Sequence, residues 1–238
     1  MKRYCLALLI ISGLLISGCR STQPPSSDTS SENASANLEQ AMVVVETAPT
    51  ASYLITFTAV MDDTVATSVH LTKYVAVTHR SQNLFWQLGG LSSEGLRQIA
   101  ERGQQQTAID ELTLEIASGN ANALIIADQA IWHPKNANPS SHPSHYQQTF
   151  TASKDHPYFS FASMIGPSPD WFVGVYDIPL FQDGQFIQSK EFILYAYDAG
   201  TKGTTEETLP HTQISVIEDP TISKIVYGVL RLEKQMEK

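Results

Sequence analysis

The sequence predicts a mostly β protein, an antiparallel β-sandwich decorated by one or two short helices. Three observations carry that expectation. Tyr53, Ile55, Phe57 and Ala59 alternate with Leu54, Thr56, Thr58 and Val60, a period of two rich in β-branched and aromatic residues. Further strand-like runs follow at His145–Ala152, Tyr158–Ile165, Trp171–Tyr176, Phe186–Ala196 and Ser223–Leu232, with turn signals between them. Helical spacing is confined to a short region ahead of those runs, so helices decorate the strands rather than alternate with them.

The first segment is not part of the fold. Lys2 and Arg3 precede an apolar stretch from Cys5 to Ile16, interrupted only by Ser12 and Gly13. A bilayer span needs about 20 apolar residues, so a short run behind a basic start reads as a signal peptide over residues 1–18. Leu15-Ile16-Ser17-Gly18-Cys19 matches a lipobox, in which small residues precede a cysteine that receives a diacylglycerol on sulfur. Cys19 is therefore the expected lipidation site, and the chain an exported lipoprotein held to a membrane by its acyl chains. Arg20 follows, where an Asp would favour inner-membrane retention, so the outer membrane is the expected location.

Residues 19–51 read as a linker. The stretch STQPPSSDTSSENASAN buries little and cannot repay the entropy of folding. About 30 such residues reach on the order of 30 Å. The folded domain is expected over residues 52–238.

Its elements follow in order. The opening strand begins near Ser52. Leu71 to Val77 is either irregular or a further strand. Ser92 to Gly103 has a Ser cap candidate, apolar Leu96, Ile99 and Ala100 at helical spacing, and a terminating glycine, which predicts a helix. A second short helix is expected over Gln106–Ala117, and Ala123 to Ile131 reads as a buried strand. Residues 133–146 carry three prolines without a period and form a loop.

Charge narrows the function classes. The chain holds 15 basic and 24 acidic residues, net −9. Without Lys2 and Arg3 the basic count falls to 13 and the net charge to −11. Such a surface repels phosphate backbones, which argues against nucleic-acid binding, and it suits recruitment of divalent cations. The cysteines are Cys5 and Cys19 alone. One leaves with the signal and the other is acylated, so a cysteine nucleophile, a thiolate zinc site and a disulfide framework are all excluded. His133, His142, His145 and His156 lie at irregular intervals in and beyond the proline-rich loop. Zinc sites need ordered ligands, so these read as solvated loop histidines. Trp86, Trp132 and Trp171, with Phe85 and Phe172, read as core or sandwich-end packing. The G-x-S-x-G, S-x-x-K, H-E-x-x-H and G-x-G-x-x-G signatures are missing, which removes the common enzymes.

Two runs are distinctive: Ser163-Met164-Ile165-Gly166-Pro167-Ser168-Pro169-Asp170-Trp171-Phe172-Val173-Gly174-Val175 and Leu194-Tyr195-Ala196-Tyr197-Asp198-Ala199-Gly200-Thr201. With these the chain resembles the spondin N-terminal domain family. Tyr53–Thr58 is similar to that family's opening strand, Ser93–Gly103 to its helix and Lys224–Leu232 to its closing strand. The resemblance implies a C2-like sandwich with a calcium ion at one end, and it places metal-binding carboxylates on Asp170 and Asp198. Ca²⁺ takes several hard oxygen ligands from flexible loops, so the chemistry is consistent. An Asp in a turn also commonly just accepts from nearby main-chain amides. The family's third acidic position falls on Thr151, a poorer ligand, with Asp155 four residues on as an alternative and weak affinity implied. The resemblance further implies a non-enzymatic adhesion or recognition module for a glycan, matrix or protein partner. The competing expectations are a structural envelope lipoprotein with a purely structural metal, and a metal-assisted hydrolase.

Overall fold

The computed structural model describes residues 48–202 and 212–236. All lie in the second of two units into which the chain divides, Glu46–Lys238. The signal peptide, Cys19 and nearly all of the linker lie outside the described residues.

Chain order sets the labels. The strands up to the helices are β1 (Thr50–Ala59), β2 (His70–Leu71) and β3 (Val75–His79), and the helices are α1 (Glu94–Arg102) and α2 (Gln106–Ala117). Then come β4 (Ala121–Ile126), β5 (Ile131–Trp132), β6 (His145–Ser153), β7 (Tyr158–Gly166) and β8 (Trp171–Pro179). The last are β9 (Phe181–Gln182), β10 (Gln185–Phe186), β11 (Ser189–Leu194), β12 (Ala196–Asp198), β13 (Ser215–Val216) and β14 (Gly228–Lys234).

Two antiparallel sheets face each other. One has the order β11-β14-β1-β6. In the other, β13, β12, β8 and β7 follow in turn, and the far edge of β7 is shared. There β3 pairs with Tyr158 to Ala162 while β2 pairs with Ile165 and Gly166. Between the sheets, Tyr53, Ile55 and Phe57 of β1 and Leu230 and Leu232 of β14 meet Phe159, Phe161 and Ile165 of β7 and Val173 of β8. The other face of the second sheet carries Val75, Val77, Ala162 and Phe172, which pack on Leu96, Ile99, Ala100, Ala108 and Leu112 of the helices. The order of layers is thus sheet, sheet, helices. A strand covered on both faces loses its alternation, and every residue of β7 after Tyr158 is buried.

The helices form where their local signals lie. The Ser93 side chain accepts from Leu96 N, and Gly103 closes α1 in the left-handed region at φ 64°. Glu111 of α2 reaches back to the start of α1, accepting from Gly95 N at 2.8 Å and from Ser93 Oγ at 2.8 Å. The 106–117 helix forms over its expected span.

Three expectations change. The Ala123–Ile131 run is a half-buried strand that stops at Ile126 and resumes for two residues at Ile131. Phe186–Ala196 divides into the end of a hairpin, β11 and the start of β12. His133 is not a solvated loop residue. It is fully buried, with Nε2 3.0 Å from Asp62 O and Nδ1 accepting from Lys135 N at 3.1 Å. His142 stacks edge-on against Trp132, and His156 contacts Gly119 O.

His79 is also fully buried, its Nδ1 2.7 Å from Ser81 O and its Nε2 2.9 Å from Ser160 Oγ. Burial holds its pKa below the ordinary histidine value, outweighing Ser81 O and the Asp177 carboxylate, while His156 pushes the same way as burial. The unfolded chain therefore binds this proton first. Its contribution to stability is intact above about pH 6.5 and is lost as pH falls through the lowered folded pKa. Chemical denaturation between pH 7.5 and 5.5 is expected to show stability falling with pH, and a flatter slope in His79→Gln. An unchanged slope in that variant would remove His79 as the cause.

Candidate metal centre at the Asp170 turn

The site is built from two strand ends that the second sheet holds side by side. β12 pairs with the start of β8, and Asp198 sits opposite Trp171. Asp170 immediately precedes β8, in a turn where Ser168 Oγ accepts from Trp171 N at 3.0 Å. Ala199 N donates to Asp170 O at 3.1 Å, which locks the two strand ends together.

Asp170 is completely buried. Its Oδ2 accepts from Thr201 N at 2.8 Å, from the Thr201 hydroxyl at 3.1 Å and from Lys202 N at 2.8 Å. Consecutive main-chain N–H groups aimed at one anion form a nest. Its Oδ1 is buried and has no hydrogen-bond partner among the described residues. Leaving a charged group's acceptor dry and unpaired is costly unless a cation or a proton compensates it. Asp198 is half-buried and accepts from Gly200 N at 2.7 Å. Burial raises its pKa above the ordinary carboxylate value and the nearby Asp170 charge adds to that, while the Gly200 N–H opposes. Two carboxylates sharing a water-poor turn with one bare oxygen make a suitable place for a hard cation.

Gly200 makes the loop possible. It sits at φ 70°, and a Cβ there would strike the carbonyl oxygen of Thr212. Thr212 N donates to Gly200 O at 2.8 Å, and Ser92 Oγ donates to Ala199 O at 2.6 Å from just ahead of α1.

Asp170 and Asp198, 28 positions apart in sequence, thus lie on neighbouring strand ends and interact electrostatically. Thr151 and Asp155 do not join them. Thr151 is exposed on β6, opposite Ser52 of β1, and Asp155 is exposed in the turn that leads into β7. That turn lies at the start of β7 and the Asp170 turn beyond its last residue, Gly166; eight residue steps along the strand, from Tyr158 to Gly166, span about 26 Å. The position that the family resemblance assigns to Thr151 does not reach the Asp170 turn, because β6 and β7, though consecutive, belong to different sheets. Among the described residues there is no group of three or more His, Cys, Asp or Glu side chains that could hold a metal. A cation here would complete its shell with carbonyl oxygens and water, consistent with weak binding.

Residues 201 and 202 are the ones sequence reasoning missed. Thr201 is buried and donates twice to Asp170. The Lys202 main chain caps the same oxygen, and its Nζ lies 3.9 Å from Glu101 Oε2, an oxygen that Arg97 Nη1 also contacts at 3.2 Å. The available signal was the Gly200-Thr201 pair directly after Asp198, a small-residue turn next to a carboxylate.

Residues 60–226 match the Spondin_N family. The chain belongs to that family. This spondin domain is 30% identical over 143 residues to Spondin-1 of Gallus gallus, a match covering 58% of this chain and 17% of that protein. It is 28% identical over 188 residues to Spondin-2 of Rattus norvegicus, covering 74% of this chain and 53% of that protein. Spondin-2 of Homo sapiens is 30% identical over 154 residues, or 63% of this chain and 43% of the relative. The match thus spans about half of rat Spondin-2 and under a fifth of chicken Spondin-1. Among the described residues of the spondin domain, no helix is long and apolar enough to cross a membrane.

Proposed function

We propose that this chain is a non-enzymatic binding module, a spondin domain tethered to the outer membrane through a lipid on Cys19. In this reading a calcium ion held by Asp170 and Asp198 stiffens the loops at one end of the sandwich, which engage a glycan, matrix or protein partner. The observation that carries it is the buried Asp170 Oδ1, without a partner among the described residues, beside a carboxylate whose pKa is raised by burial and, to a smaller extent, by the Asp170 charge. A divalent cation would give the bare oxygen a partner and favour the ionised form of Asp198. Asp170 also clamps residues 201–202, which favours a structural metal as the second reading.

Calcium titration followed by thermal unfolding tests the site. At ten times Kd the ion contributes about 1.4 kcal/mol, which raises Tm by about 3 °C in a domain of this size. No shift at millimolar calcium would reject the metal. Loss of partner pull-down in EDTA with the fold intact supports a binding role; simultaneous unfolding supports the structural one. Because Asp198 has a raised pKa, the calcium shift is expected to shrink as the solution is acidified. The tether is tested by radiolabelled palmitate, whose incorporation is expected to vanish in Cys19→Ala; label that survives would overturn it.

A further inference from the structure

One lateral edge of the sandwich is left open by a change of sheet. The chain pairs with β14 through β11, bends at Tyr195, and then pairs with β8 through β12. Only Trp171, Phe172 and Val173 of β8 receive β12. Beyond Val173, Gly174 to Ile178 have β7 on one side and no strand on the other among the described residues, and β11 likewise has β14 alone. Two unpaired edges, one from each sheet, therefore flank a groove of about 540 Å³ lined by Gly174, Tyr176, Ile178, Glu191, Ile193 and Tyr197, among others.

The walls mix apolar and polar surface, and their aromatic members are fixed in place. Ile193 is 56% exposed, on a strand whose neighbour Leu194 is buried. Tyr176 and Tyr197 are held against the buried Trp86 ring at centroid distances of 4.8 and 5.2 Å. Glu191 is the charged member of the lining; Lys190, next to it on β11, does not line the groove. An exposed strand edge offers a row of main-chain donors and acceptors that an added strand satisfies.

We infer that this groove binds an extended polypeptide by strand addition, with alternating apolar side chains against Tyr176, Ile193 and Tyr197 and a basic side chain at Glu191. The open part of β8 is interrupted by a bulge at Tyr176–Asp177, where Asp177 N already donates to Ser160 Oγ, so the six-residue edge of β11, about 20 Å long, is the main template. Main-chain edges on both walls favour a peptide over a glycan, which lacks that repeat of N–H and C=O groups. The net charge of −9 steers a basic segment inward. The inference is independent of calcium at Asp170.

The test uses the full chain and an eight-residue probe peptide of alternating valine and lysine or threonine, capped at both ends. Binding is read by fluorescence anisotropy, and the contact by hydrogen exchange of the amides from 174 to 178 and 189 to 194. The expected result is saturable binding with slowed exchange in one of those stretches. Methylating alternate peptide nitrogens is expected to weaken binding at least about tenfold by removing donors. Glu191→Lys, an exposed change that leaves the fold intact, is expected to weaken it about fivefold, and a glutamate-containing peptide to regain what the lysine peptide loses. Equal binding of the methylated peptide, or no protection at either edge, overturns strand addition. Chitohexaose that binds here in place of the peptide would assign the groove to a glycan, and a peptide-sensitive dimer would assign it to a second copy; either overturns the inference.

Discussion

Asp170→Ala is expected to lose about 3 kcal/mol of stability and all response to calcium. The carboxylate takes three hydrogen bonds from residues 201 and 202. Its removal leaves the buried Thr201 groups without their acceptor, at about 1–3 kcal/mol for an unsatisfied buried donor. Asp170→Asn separates the two jobs of this side chain. Its amide oxygen accepts the same bonds while the charge that raises Asp198 disappears. In EDTA that variant is expected to unfold within about 1 kcal/mol of the parent, yet to show no rise in Tm with calcium. Thermal unfolding with and without the ion, on both variants, is the measurement. A calcium shift that survives Asp170→Asn would mean the ion binds elsewhere.

The second large effect lies under the aromatic cluster. A Cβ on Gly174 would sit 2.5 Å from Trp86 Cζ2 and 2.6 Å from Phe161 O. Those two partners are bonded to each other, since Trp86 Nε1 donates to Phe161 O at 3.1 Å. Neither is free to retreat: Trp86 also meets Phe172 edge-on at 4.9 Å, and Phe161 O belongs to the strand at the centre of the second sheet. Gly174→Ala is therefore expected to cost about 3 kcal/mol, the upper part of the range for overpacking a filled core. Its cost should fall in a Trp86→Leu background, where the ring no longer occupies the space. Denaturant melts of the two singles and the double form the cycle. Strict additivity would show that the indole is not the obstacle.

Both predictions turn on contacts that sequence reading reached unevenly. The Ser93 cap, the Gly103 stop and the 106–117 helix were legible because a cap or an i, i+4 face involves residues within a turn or two of one another. The first strand was legible because its period of two reports one buried face, although it begins at Thr50. The Ser-Pro-Asp-Trp and Tyr-Asp-Ala-Gly strings identified the family and pointed to Asp170 and Asp198. They did not reveal that Asp170 would be fully enclosed, or that Thr201 and Lys202 would be its partners. Those bonds close a separation of 31 residues, which no local pattern encodes. The same limit explains Thr151, which the family resemblance offered as a ligand, and its neighbour Asp155, both removed from the carboxylates by sheet membership. His133 reads as a polar loop residue, yet it is buried with both ring nitrogens engaged.

By itself, then, the sequence determined the fold class and the family, because periodicity, caps and short motifs are short-range properties of the chain. Tertiary structure alone decided which oxygen of Asp170 stays bare and where the chain changes sheet at Tyr195. Among the described residues it also left one flank of β8 without a strand. These depend on strand pairing between distant segments, where the outcome is set by which surfaces bury together rather than by any residue's own preference.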